Sequence, residues 1–306
     1  MALKSEDRLP VEYRGFLYRK TSKALIINST DFENAVKVMK EDNISNLEIN
    51  SNFLRVHDLS FLNKFTFISG LSLISPLIKD ISLIHLIPNL KVLNIEHRLS
   101  GKIDFKTFTN LTDCFFIWGI DGSETIFDCF SLQNLRIDNY NRFEVMELSN
   151  LITLKYLSLY HSSIANLSGI GKLKKLVKLD LTGCKFLEDI ETVNELFELE
   201  ELRLDECKNL VTIEPVQYLP KLKSLSFNNI GNLSSIKYLI SLKKLEEIFF
   251  SDNTNILDGD LNSLQTLHRQ GHLKKVIFKY RKHYTHKPQE LGYKVPDVVA
   301  NIFRKK

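Results

Sequence analysis

The sequence predicts an α/β solenoid, a curved arc with a parallel β-sheet on its concave face and short 3₁₀ or loop returns on its convex face. Three observations predict it. An apolar frame recurs at nearly constant spacing through most of the chain. The centre of each copy alternates with period two, and the segments between centres carry apolar residues with period three.

The frame is plainest at Leu176-x-x-Leu179-x-Leu181-x-x-Cys184-x-x-Leu187 and again at Leu199-x-x-Leu202-x-Leu204-x-x-Cys207-x-x-Leu210. Its central apolar residue falls at Leu25, Leu47, Leu71, Leu93, Cys114, Leu135, Leu157, Leu179, Leu202, Leu225, Ile248 and Val276, with steps of 21 to 24 residues and a last step of 28. In a strand, Leu-x-Leu puts both leucines on one side and the residues beside them on the other. Strands recurring at this distance cannot pair by hairpins, so a crossover returns each in the same direction and the sheet is parallel. Between strands, Ile190, Val193, Leu196, Leu199 and Leu202 are spaced by three, as are Ile213, Val216, Leu219, Leu222 and Leu225. Three residues per turn is the period of the 3₁₀-helix.

The two ends depart from the frame, as a stack with apolar cross-sections requires. Residues 1–43 read as a cap with the first repeat, including a helix that Asp31 caps and that puts Phe32, Ala35, Val36 and Met39 on one face. Residues 44–258 carry the repeats, and 259–306 the last repeat with a basic cap. In that last part a helix over Asp260–Gln270 ends at Gly271, a strand covers Lys274–Phe278, and Asp297–Phe303 is expected to close the end. All of it reads as one continuous structural domain.

The repeated frame resembles the leucine-rich repeat family over about residues 22–280. Short repeats with period-three returns are similar to its internalin-like and phosphatase-regulator-like subclass rather than the longer ribonuclease-inhibitor type. The resemblance implies a non-enzymatic module that binds a protein on its concave face.

Composition agrees with a folded chain. Of 306 residues, 43% are apolar and 25% charged, with 12 Gly and 7 Pro, which excludes disordered and collagen-like sequence. The net charge of +4 is unevenly placed: His268 to Lys306 holds 11 Lys+Arg against 2 Asp+Glu, so residues 1–267 carry 4 − 9 = −5. Four cysteines are too few for a disulfide scaffold, and the N-terminal residues lack the layout of an export signal, so a cytoplasmic location is expected. The most apolar stretch, Leu71 to Leu90, is broken by Pro76, Lys79, Asp80, His85 and Pro88, and no membrane partner is expected.

Little chemistry is legible. Cys184 and Cys207 occupy equivalent positions, where the family uses Asn or Cys to turn the backbone beneath the strand; a metal pair or a disulfide is the other reading. His268, His272, His283 and His286 read as surface histidines of a polar, basic cap rather than metal ligands. Phosphate-binding, hydrolase and metalloprotease motifs are missing from the sequence, so no enzyme, cofactor or metal is expected.

The residues before, after and three beyond each central position project from the concave face, with the next residue at its rim. From these come the candidate partner-binding residues Phe115, Trp118, Arg136, Asp138, Tyr156, Tyr160, Asp180, Arg203, Asp205 and Phe249. Exposed aromatics and arginines are the composition of interaction hot spots, and the acids would steer a partner with a basic surface. Aromatic ladders also stabilise a sheet by cross-strand contact, which is the plainer account of the same residues. An inhibitor or immunity protein and a regulatory subunit both fit a chain that is monomeric on its own. The alternative partner is nucleic acid, through Lys274, Lys275, Lys279, Arg281, Lys282 and Lys287 around Tyr280 and Tyr284.

Overall fold

The structure, a computed structural model, describes residues 9–292. The closing segment expected over Asp297–Phe303 lies outside the described residues. The chain divides into two compact units, residues 1–140 with 150–154 and residues 141–149 with 155–306.

The first unit holds β1 (Val11–Tyr13), β2 (Phe16–Arg19), β3 (Ala24–Ile26), α1 (Phe32–Glu41), β4 (Asn46–Asn50), β5 (Gly70–Ile74), β6 (Val92–Ile95), β7 (Asp113–Ile117) and β8 (Asn134–Asp138). From β3 onward each strand pairs in parallel with the next, and Leu25, Leu47, Leu71, Leu93, Cys114 and Leu135 lie opposite one another in register. The Asp31 carboxylate caps α1 by accepting the Asn34 N–H at 3.1 Å, and Ala35, Val38 and Met39 are buried.

Before the repeats the structure has an element the frame does not contain, an antiparallel meander of β1, β2 and β3. Its first turn has only two central residues, Arg14 (φ 50°) and Gly15 (φ 85°). Positive φ at both is what a two-residue hairpin needs to match the strand twist. The Arg14 guanidinium fastens that turn to the end of α1, at 2.6 Å from Glu41 and 2.8 Å from Asp42.

In the second unit β9 (Tyr156–Tyr160), β10 (Lys178–Asp180), β11 (Glu201–Arg203), β12 (Ser224–Ser226), β14 (Glu247–Phe250) and β16 (Lys275–Phe278) form a parallel ladder. Leu157, Leu179, Leu202, Leu225, Ile248 and Val276 run across it in register. A separate short pair, β13 (Asn232–Leu233) and β15 (Asn255–Ile256), lies beyond the strands. A second helix, α2 (Asn262–Arg269), is followed by Gly271 at φ 78°.

All twelve central residues are buried, as are the period-three residues of the returns. The backbone explains that second period. Val193 N–H donates to Ile190 C=O, Leu196 to Val193 and Leu199 to Leu196, at 2.9, 3.0 and 2.9 Å. Each i→i−3 bond joins two core residues, so a tight turn and a continuous apolar stripe are one feature.

One further backbone regularity sets which side chains face out. Four residues past the central position, Asn139 (φ 59°), His161 (50°), Gly183 (76°), Glu206 (61°), Asn229 (56°) and Asp252 (56°) all adopt the left-handed conformation. This kink ends the period-two alternation, so in five of these repeats the following residue turns inward: Tyr140, Ser162, Cys184, Cys207 and Ile230 are buried, whereas after Asp252 it is Thr254, one residue later, that is buried and Asn253 is exposed.

Candidate functional site

The face of the second unit's sheet opposite the core is built from the positions flanking each central residue. Its acids lie within hydrogen-bond networks. The Asp180 carboxylate accepts from the Tyr160 hydroxyl at 2.9 Å, the Thr182 hydroxyl at 2.6 Å and the Thr182 N–H at 3.2 Å. That of Asp205 accepts from the Ser226 hydroxyl at 2.7 Å and from the backbone and side-chain N–H of Asn228 at 2.8 and 3.1 Å. Both acids keep only about a seventh of their side-chain surface, 14% and 15%.

Arg203 stands between them and behaves differently. Its Nε is 3.8 Å from Asp180 Oδ2 and 3.9 Å from Asp205 Oδ2, beyond hydrogen-bond range, and 54% of its side chain is exposed. The two carboxylates thus balance and hold the guanidinium by field without accepting its N–H donors. Tyr156, Tyr160 and Phe249 are half-buried on the same face, and Lys275 Nζ lies 4.7 Å from the Phe249 ring centroid. At the margin, Lys178 and Glu201 pair across neighbouring strands at 2.7 Å.

The first unit's open face carries Phe115, Arg136 and Asp138. The Arg136 guanidinium donates two bonds to Asp138, at 2.9 and 3.0 Å, and stacks 4.4 Å from the centroid of Phe115. Here too an aromatic ring and a guanidinium meet on the sheet, but the guanidinium's donors are engaged.

Trp118 is not on that face. It is 8% exposed, with its ring centroid 4.9 Å from Tyr140 in an edge-to-face contact and 5.8 Å from Phe127. Its repeat makes the left-handed turn one residue late, at Gly119 (φ 99°). The Trp118 N–H still donates to Asp138 C=O at 2.9 Å, the bond that His161, Gly183, Glu206 and Asn229 make at the same place in their repeats, so only the backbone angle at position 118 differs. Counting by twos from Cys114 then puts Phe116 and Trp118 inside. The expectation of an exposed Trp118 is corrected by this shift. Conversely, Ser226, Asn228 and Thr182 were absent from the candidate residues although they hold the acids. They sit one or three residues past Leu225 and Leu179, so the frame itself was the signal.

The cysteines are buried free thiols. Cys184 donates its S–H to Leu159 C=O at 3.1 Å and Cys207 to Leu181 C=O at 2.9 Å. Thr254 makes the corresponding bond to Phe227 C=O at 2.8 Å, which identifies the job as satisfying a carbonyl at the strand's end. Hydrogen bonding with Cys184 and burial push the Cys207 thiol's pKa far up, and burial pushes that of Cys129 to about 12, so neither is a nucleophile near neutral pH. His283 Nε2 donates to Ile256 C=O at 2.9 Å, and the His268 ring bonds Leu273 C=O at 3.0 Å. Among the described residues no three His, Cys, Asp or Glu side chains converge as metal ligands, and no helix is long and apolar enough to cross a membrane.

Comparison with known proteins agrees with this geometry. The family model for leucine-rich repeats in two copies matches residues 152–195. No curated protein matches the chain. Among solved structures, an internalin from Listeria monocytogenes superposes with a TM-score of 0.56 at 19% identity, over 80% of this chain and 76% of that one. A leucine-rich repeat protein from Leptospira interrogans gives a TM-score of 0.41 at 18% identity, covering 83% of each chain. The repeating frame, the parallel ladders and the 3₁₀ returns are those of the leucine-rich repeat fold, and residues 152–195 match the leucine-rich repeat family itself.

Proposed function

We propose that the chain is a non-enzymatic protein-binding module whose second unit grips a folded partner with its open sheet face. Leucine-rich repeat proteins generally mediate protein–protein interaction. The observation that carries the reading here is Arg203, a guanidinium held in place by two carboxylates that leave its donors unspent. Around it, Tyr156, Tyr160 and Phe249 offer rigid contact area at small entropic cost. Asp180 and Asp205 are already bonded to Tyr160, Thr182, Ser226 and Asn228, so a partner covers these groups without stripping water from unsatisfied atoms.

The partner we assign has a basic surface. Asp180, Glu201, Asp205, Glu206, Glu247 and Asp252 outnumber Lys178, Arg203, Lys275 and Lys279 on and beside the face, and a hydrogen-bonded carboxylate keeps its long-range field. An inhibitor or immunity protein and a regulatory subunit are the two roles that need only such a surface. Phe115 and Arg136 in the first unit add contact area only, because the Arg136 donors are already taken by Asp138.

The test is to isolate the stoichiometric partner from the native cell on the immobilised chain and to measure its binding kinetics. Arg203→Ala and Tyr160→Ala should speed dissociation by about thirtyfold, the mark of hot spots of about 2 kcal/mol. Glu206→Gln should slow association and flatten its salt dependence while leaving dissociation nearly unchanged. Wild-type kinetics in all three variants would remove the site from this face.

A further inference from the structure

The geometry points to a second binding surface at the C-terminal end of the second unit, adjoining the open sheet face, one that takes single-stranded nucleic acid. From His268 to Gly292 the chain has seven Lys+Arg and one Glu. That acid is engaged: the Glu290 carboxylate accepts the Lys287 backbone N–H at 2.9 Å. Lys274 and Lys275 are partly balanced by Glu246 at 2.9 Å and Glu247 at 3.9 Å. Arg269, Lys279 and Lys282 are exposed and have no carboxylate partner among the described residues.

These cations are displayed on a fastened segment. Arg281 donates to the carbonyls of Thr254 and Asp252, at 3.2 and 3.3 Å. The Tyr284 hydroxyl accepts the Ile256 N–H at 3.0 Å, His283 reaches Ile256 C=O, and the Thr285 N–H donates to Gly259 C=O at 2.9 Å. Tyr284 is 5% exposed, and its N–H closes a turn onto Arg281 C=O at 3.0 Å. Lys282 therefore stands at the corner of a turn pinned to the preceding repeat, with Lys279 at the end of the sheet and Tyr280, 43% exposed, between them.

An uncovered ring flanked by lysines whose charge is unspent is the pairing that single strands use: phosphates meet the cations and a base stacks on the ring. A ringless acidic chain such as polyglutamate would use the lysines and leave Tyr280 with nothing to stack on. A duplex offers no free base face to the ring. The observations therefore favour a single strand, read without sequence preference.

The probe is a fluorescein-labelled twenty-nucleotide oligothymidine, titrated by anisotropy against the full chain between 50 and 200 mM salt, with polyglutamate as competitor. Binding should weaken steeply with salt, and Lys279→Gln with Lys282→Gln should flatten the slope by about 0.7 for each phosphate no longer neutralised. Tyr280→Ala should weaken binding by about tenfold at every salt concentration, with Tyr280→Phe close to wild type. Arg203→Ala should bind the oligonucleotide normally, which separates this surface from the protein-binding face. No salt-dependent binding, polyglutamate competing as well as an unlabelled oligonucleotide, or an unaffected Tyr280→Ala would each overturn the proposal.

Discussion

Each unit, taken by itself, fills the space under the turn that follows its strands, and the two do so with different chemistry. In the second unit that space holds small polar donors: Cys184, Cys207 and Thr254 each bond a strand-end carbonyl of the preceding repeat. In the first it holds large rings, with Trp118, Tyr140 and Phe127 packed against one another. A turn can thus be supported by satisfying its carbonyl or by filling its volume, and a side chain's direction depends on which support the repeat uses. Trp118 is a core residue because its repeat delays the left-handed turn to Gly119, whereas the residues four past the centre in the next six repeats are turned by it.

The sharpest way to break this comparison is at the ring cluster. Trp118→Ala should cost about 3–5 kcal/mol, the usual loss for an aromatic truncated in a packed core. Arg203→Ala, on the open face, should cost about 0.5 kcal/mol or less, since its loose ion pairs are solvent-screened. Denaturant melts of the two variants decide the matter. Equal losses would mean that Trp118 faces solvent and that the aromatic column is not part of the core.

Most of the fold was legible because its two periods are physical necessities written into the sequence. Leu179 and Leu181 must share a side of their strand, and Ile190, Val193 and Leu196 must share a side of a three-residue turn. The direction of the open-face residues followed from the same count, and Arg203 lies where it was expected. What was hidden rests on single backbone angles. Moving the positive φ from position 118 to Gly119 reverses the Trp118 side chain, and the frame counted by leucines does not register that shift. The glycine itself was the available sign. The N-terminal hairpin was hidden for the same reason, since Arg14 and Gly15 carry the whole turn between two very short strands.

The polar column of the second unit should give a smaller effect and a chemical signature. Cys207→Ala leaves Leu181 C=O without its donor and should destabilise by about 1–3 kcal/mol, while Cys207→Ser, which restores a donor, should recover part of the loss. The raised pKa values of Cys207 and Cys129 keep both as thiols at pH 8, so iodoacetamide should leave them unlabelled in the folded chain and label them once it is unfolded. Mass spectrometry of the alkylated chain reads this directly. Rapid labelling of folded chain, or a mass two hydrogens short of the reduced one, would replace the carbonyl-capping role with a reactive thiol or a disulfide.

The smallest effect tests the backbone itself, and its sign matters more than its size. Glu206 holds φ 61°, a conformation that costs a side-chain-bearing residue about 1–2 kcal/mol and glycine almost nothing. Glycine also loses about 0.5–1 kcal/mol more conformational entropy on folding, so Glu206→Gly should leave a net gain of about 0.5–1 kcal/mol. In the first unit the sign reverses. Gly119 sits at φ 99°, and a Cβ placed there would meet Arg98 Nη2 at 3.1 Å, so Gly119→Ala should destabilise by about 1 kcal/mol or more. Because the left-handed residue is four past the centre in one repeat and five past it in the other, the two variants report on the offset that turned Trp118 inward. Thermal melts in which both substitutions shift stability the same way would mean that the turn is not displaced, and the account of the aromatic column would fall with it.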